Sequence, residues 1–169
     1  MNSIRSQKIE NFLVSLSSSS PTPGGGAVAA LTGAFAASLV EMVANLTIGK
    51  KGYEKVNTEI LKIRNEALIL KRELLKLADA DVKAFNGVMA AYKSKNESRI
   101  KKSLQKATDI PSKVLSLSKK IEKMAGRMAK IGNKYALSDA KSAIHLSRAS
   151  QKAAYENVII NTKALAALK

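Results

Sequence analysis

The sequence predicts an all-α protein, an antiparallel bundle of five to six helices, on three observations. Ala, Leu, Lys, Ile and Ser dominate the composition, a mixture that favours helix formers over strand formers. Aromatic residues make up only 4% of the chain and prolines number three, so strand propensity and helix breakers are both scarce. Apolar side chains recur every three to four positions over long stretches, separated by a few short breaks. A chain of 169 residues is expected to form one domain over 1–169, long enough to bury a core.

The elements follow in order. Ile4, Ile9, Phe12, Leu13 and Leu16 recur at helical spacing and predict a short amphipathic helix over residues 4–16. Residues 17–26, SSSSPTPGGG, form a loop in which Pro21 and Pro23 impose extended backbone and three glycines permit close approach. Residues 27–48 are almost unbroken in apolar or small side chains, long enough for a membrane span. A complete amphipathic helix containing Glu10 precedes this run, which argues against a signal peptide. Glu41 and Asn45 within it are costly in a span, and a central helix buried by its neighbours satisfies the same pattern. A long helix is expected over residues 53–93. Another is expected over 97–130, kinked or split at Pro111. IGNKYAL (131–137) breaks the pattern at Gly132 and Asn133. Ser138 then reads as the N-cap of a last helix running to about residue 168, with Asp139 in its first turn.

Charge and residue usage narrow the chemistry. The net charge is +16, while residues 1–50 carry only Arg5, Lys8 and Lys50 against Glu10 and Glu41, so the excess lies from Lys51 onward. Such a field suits nucleic acid, an anionic membrane surface or an acidic small substrate, or it is a set of solvated lysines. No DNA-binding motif is present and aromatics for base stacking are few, so nucleic acid is not expected; a basic helical module binding nucleic acid or membrane remains the alternative reading. There is no cysteine and one histidine, His145, which leaves disulfides out and gives zinc or triad chemistry almost nothing to use. Proton transfer therefore falls to carboxylates, lysines, tyrosines or that single imidazole. A lone helical histidine is more often structural.

Four groups of residues are candidates for function. Gly24, Gly25 and Gly26 precede a helix and either present backbone N–H groups to an anion or make a tight corner; the run fits neither a Walker loop nor a dinucleotide fingerprint. Glu41 and Asn45, four apart on one helix face, form either a buried network or part of a site. Lys50 and Lys51 complement the helix dipole or attract an anion. Asp79 and Asp81 interrupt a long helix where Asp is unfavourable. Asp81 is either a carboxylate of perturbed pKa acting as general acid or base, or a partner of Lys83 or Lys76 in an ion pair.

SSSSPTPGGGAVAAL, EMVANLTIGKKGYE, DADVKAFNGVMAAYK and IGNKYALSDA, in that order, resemble the cyclodeaminase/cyclohydrolase family. This is the family of the formiminotetrahydrofolate cyclodeaminase domain and of the related methenyltetrahydrofolate cyclohydrolases. The resemblance covers nearly the whole chain. It implies a homodimer acting on a one-carbon unit carried by tetrahydrofolate, with no metal and no cofactor beyond that substrate; the absence of cysteine suits a reducing, cytoplasmic setting. The length suits the form without a transferase domain. Asp81 matches the aspartate of a DAxAF-like motif, here Asp81-Val82-Lys83-Ala84-Phe85, and is implied as the acid/base group. The resemblance further implies that Gly24, Gly25, Gly26, Glu41 and Asn45 contact the substrate, joined by Asn133, Ser138 and Asp139 after the GN loop. Lys50 and Lys51 would attract the acidic glutamate tail. Either reaction is open: ring closure of 5-formiminotetrahydrofolate with loss of ammonia, or hydrolysis of 5,10-methenyltetrahydrofolate to 10-formyltetrahydrofolate. The chain departs from the pattern at Ser94, Lys95 and Asn96 and at Tyr135, which leaves a pterin other than tetrahydrofolate open as the carrier.

Overall fold

The computed structural model describes residues 3–168. Five α-helices form among them: α1 (Ile9–Leu16), α2 (Gly25–Asn45), α3 (Asn57–Lys93), α4 (Glu97–Ile131) and α5 (Leu137–Ala166). Short 3-10 turns lie at Ile4–Ser6, Glu54–Val56 and Lys134–Ala136, and no strand is present among the described residues. The expected antiparallel bundle is observed: α2 to α5 pack against one another and alternate in direction through short connections. The first expected helix is interrupted, its first turn being the separate 3-10 turn.

Helix α2 is the centre of the bundle because its residues are small. Ala27, Ala30, Ala36, Ala37, Val40, Val43 and Ala44 are fully buried, and α3, α4 and α5 all pack on it. It passes the length and composition test for a membrane span, but half of it is buried within the bundle. Gly33 lets the other helices close in: a Cβ there would lie 2.9 Å from Ser118 Oγ on α4 and 3.0 Å from Ser150 Oγ on α5. Those hydroxyls are buried but satisfied. Ser150 Oγ donates to the Ala29 carbonyl of α2 at 2.7 Å, so Ser118 Oγ must donate to Ser150 at 2.8 Å.

Pro111 neither splits nor ends α4, which runs unbroken from Glu97 to Ile131. A proline inside a helix costs about 3 kcal/mol or more, partly because it removes the N–H that the carbonyl four residues back would accept. That carbonyl belongs to Ala107, and Asn161 Nδ2 on α5 donates to it at 2.8 Å. The partner helix thus restores the missing bond, and the buried proline ring packs in the core.

Ser138 is not the N-cap of α5. The helix begins at Leu137, its flanking residue Ala136 makes no side-chain cap, and Ser138 sits exposed in the first turn. Asn133 does the work instead, one turn earlier. Its Oδ1 accepts from Tyr135 N at 3.1 Å, its Nδ2 donates to Leu46 O at 3.0 Å, and its own N–H donates to Thr47 Oγ1 at 2.9 Å. The GN loop is thereby fastened to the C-terminal end of α2.

Candidate active site

Asp79 and Asp81 stand two residues apart on α3, so their side chains leave the helix about 200° apart and meet different partners. Asp79 accepts from Ser3 Oγ at 2.5 Å and from Ile4 N at 2.6 Å, and it pairs with Arg5 Nε at 3.3 Å. Its role is to anchor the N-terminal turn. Asp81 faces the start of α2, where the Ala27 backbone N–H favours the ionised carboxylate. Helix N-termini carry unpaired donors and positive potential, so a carboxylate is favoured there.

The contact between α2 and Asp81 requires glycine. A Cβ on Gly26 would lie 2.1 Å from Asp81 Oδ1 and 2.5 Å from its Cγ, distances no side chain tolerates. Asp81 makes no ion pair among the described residues, and the pairing with Lys83 or Lys76 is absent. Burial raises its pKa from 3.8 to about 6, and the Ala27 N–H opposes the rise only in part.

Asp81 lies in a cleft of about 360 Å³, within the size range of small-molecule sites. Helical periodicity aims one face of each long helix into it. From α3 come Ala84, Phe85, Val88 and Tyr92 beside Asp81; from α4, Leu104 and Ala107; from α5, Asn157, Ile160, Asn161 and Ala164. Pro21, Thr22, Gly24, Gly25 and Gly26 form the rim, and the Thr22–Pro23 bond is cis. A second cavity of about 510 Å³ lies across the same corner and shares Thr22 with the first. Its one carboxylate, Asp79, is already held by Ser3, Ile4 and Arg5. Of the two cleft carboxylates, the one free of an ion pair therefore lies in the smaller cleft, while the larger cavity also carries Lys83.

The remaining sequence candidates lie elsewhere in the chain. Asn45, Lys50, Lys51, Asn133, Ser138 and Asp139 lie around the opposite end of α2, about 28 Å from Gly26 along the helix at 1.5 Å per residue. Glu41 pairs with Lys71 of α3 at 2.5 Å, while Asn45 is exposed. At that end Lys50 Nζ and Lys134 Nζ lie 5.2 and 5.3 Å from the centre of the exposed Tyr135 ring. Within one chain the candidates fall into two groups, the glycines with Asp81 and the others around the far end of α2. Asn157 and Asn161 were not singled out in the sequence, although asparagine is as misplaced inside a helix as aspartate. No group of three or more His, Cys, Asp or Glu side chains gathers among the described residues.

Fold and cleft together define a helical domain with a buried carboxylate of raised pKa set in a ligand-sized site. The formiminotransferase-cyclodeaminase family matches residues 8–167, and the chain belongs to that family. It is 38% identical over 168 residues to a methenyltetrahydrofolate cyclohydrolase of Methylorubrum extorquens, covering 94% of this chain and 81% of that protein. It is 26% identical over 170 residues to the formimidoyltransferase-cyclodeaminase of Rattus norvegicus, of which it spans 31%. The crystal structure of a formiminotetrahydrofolate cyclodeaminase from Thermotoga maritima superposes with a TM-score of 0.93 at 36% identity, covering 96% of this chain and 81% of that one.

Proposed function

We propose that the protein is a folate one-carbon enzyme that hydrolyses 5,10-methenyltetrahydrofolate to 10-formyltetrahydrofolate in the Asp81 cleft. The observation that carries this reading is Asp81 itself: an unpaired carboxylate, its pKa raised to about 6 by burial, at the wall of an otherwise largely apolar cleft. A base of that pKa is ionised at neutral pH yet retains proton affinity. The similarity to the Methylorubrum cyclohydrolase over most of both chains supports this choice of reaction.

The chemistry assigned to the cleft is short. Asp81 takes a proton from water as the oxygen adds to the carbon bridging N5 and N10 of the cationic substrate. The tetrahedral carbon then expels N5, which receives the proton from Asp81, while the hydroxyl loses its proton to solvent and becomes the formyl carbonyl on N10. One proton is released overall. Phe85 and Tyr92 offer flat apolar surface to the ring system. The close likeness to the Thermotoga cyclodeaminase favours a second reading for the same carboxylate. In it N10 attacks the formimino carbon and gives up its proton to Asp81, and Asp81 passes that proton to the departing ammonia as the C–N bond to it breaks.

The acidic tail of the folate is assigned to the basic end of α2, at Lys50 and Lys51, through a homodimer. α2 and its C-cap expose Phe35, Met42 and Leu46, flanked by the half-buried Leu31 and Leu39, and Phe35 stands at the midpoint of the helix. A two-fold axis beside Phe35 sets two α2 helices antiparallel. The Lys50 end of one subunit then approaches the glycine rim of the other, which brings the two halves of the candidate set together. Glu41, Asn45, Asn133, Ser138 and Asp139 belong to that partner half. We read residues 1–169 as a single cytoplasmic domain that needs no cofactor beyond the folate.

One absorbance assay tests the reaction. With 5,10-methenyltetrahydrofolate the chromophore should disappear faster with enzyme than without. Its appearance from 5-formiminotetrahydrofolate would favour the cyclodeaminase, and no change with either substrate refutes the folate reading.

A further inference from the structure

Two asparagines of α5 take no part in the mechanism above, yet both line the Asp81 cleft. Asn157 and Asn161 are one turn apart on the same face. Asn157 Nδ2 donates to the Ala153 carbonyl of its own helix at 2.9 Å, and Asn161 Nδ2 donates across to Ala107 of α4 at 2.8 Å. A carbonyl only accepts, so the amide end facing it must be the NH2 group, and chemistry alone fixes both orientations. The Oδ1 atoms are left as acceptors. Neither makes a hydrogen bond among the described residues, and neither is sealed from solvent.

We propose that Asn157 and Asn161 bind the donor edge of the substrate, the ring N–H and exocyclic amine of an aminopyrimidinone, and that Pro111 sets Asn161 for this role. The proposal rests on the folate reading. Pro111 has no N–H, so the Ala107 carbonyl stands open at the cleft-facing side of α4 and holds the Asn161 amide in one orientation. Neutral acceptors suit this position better than carboxylates. A second negative charge in the cleft would push the pKa of Asp81 higher still and weaken it as a base at neutral pH. The backbone groups left free in the first turn of α2 are N–H donors, which cannot accept from a substrate N–H. Acceptors for substrate N–H groups are therefore supplied by α5.

The test separates binding from architecture. Pro111→Ala restores a helical N–H to Ala107 and releases Asn161, so the variant should melt no lower than the wild type while KM for methenyltetrahydrofolate rises about tenfold, the weight of one or two hydrogen bonds. Asn161→Ala should raise KM similarly and also lower the melting temperature, because the Ala107 carbonyl loses the amide that donates to it. The double variant should regain the melting temperature and keep the raised KM. An analogue with oxygen in place of the exocyclic amine should be discriminated against by wild type about tenfold and by Asn161→Ala or Asn157→Ala hardly at all. An active wild type whose variants all keep wild-type KM and discrimination overturns the proposal while leaving the folate reading intact. A wild type inactive on both folates overturns the folate reading, and the assignment of the asparagines falls with it.

Discussion

Replacing Asp81 with Asn should make the protein more stable and inactive. The side chain keeps its shape and its acceptor for the Ala27 N–H, and loses only the ability to ionise. Burial raises the pKa of Asp81 from 3.8 to about 6, so the folded state holds this proton more tightly than the unfolded chain. Below pH 4 both states are protonated and the group has no effect on folding. Between about pH 4 and pH 6 the unfolded chain loses its proton first, so stability falls as pH rises; above pH 6 the deficit is constant. Its size follows from about 1.4 kcal/mol per tenfold change in proton affinity, giving ~3 kcal/mol at neutral pH. For a chain of this length that corresponds to a melting temperature higher by ~6–12 °C in the Asn variant. Thermal melts of both proteins at pH 4 and pH 7.5, with turnover measured on the same samples, check it. An equal melting temperature at pH 7.5, or a gain of the same size at both pH values, would sink the burial argument. Retained turnover would remove Asp81 from the reaction.

Three further outcomes are expected. Gly26→Ala drives a methyl into the Asp81 carboxylate, 2.1 Å from Oδ1, and should cost ~1–3 kcal/mol or more in urea unfolding while abolishing turnover. The value of kcat/KM for methenyltetrahydrofolate hydrolysis, followed from pH 5 to 8, should rise through about pH 6 and then level, since the base works ionised and its pKa is raised to about 6. Phe35→Glu places a charge at the centre of this apolar face of α2, where Phe35 is 54% exposed; sedimentation equilibrium should show a dimer converted to monomer.

The fold was largely legible because its signals are local. An unbroken run of small apolar residues reads as a central helix, and α3 to α5 carry their own periodicity. What depended on a distant partner was not. Whether Pro111 breaks its helix is decided by Asn161, fifty positions later in the chain, which supplies the donor the carbonyl needs. Ser138 carried every local mark of an N-cap, yet Asn133 fastens the preceding loop to Leu46 and Thr47. Asp79 and Asp81 were both conspicuous inside α3, but only packing showed that one holds the N-terminal turn and the other meets α2. Glu41 stands out among the apolar residues of α2, but its partner Lys71 lies on another helix. Asn157 and Asn161 passed unnoticed because polar residues on a basic, half-exposed helix look like solvated surface until the neighbouring helices are in place.

Gly26 and Gly33 are seven residues apart, so they lie on nearly the same face of α2, two turns from each other. One is pressed against Asp81, the other against Ser118 and Ser150. The helix is consequently pinned both along its axis and about it. Inserting a single residue between them would turn one glycine by about 100° and carry a side chain into a space that has none to spare. The same insertion in the serine run before Pro21 would change neither pin. Length variation among natural sequences of this fold should therefore gather in that run and be missing from the eight residues GAVAALTG.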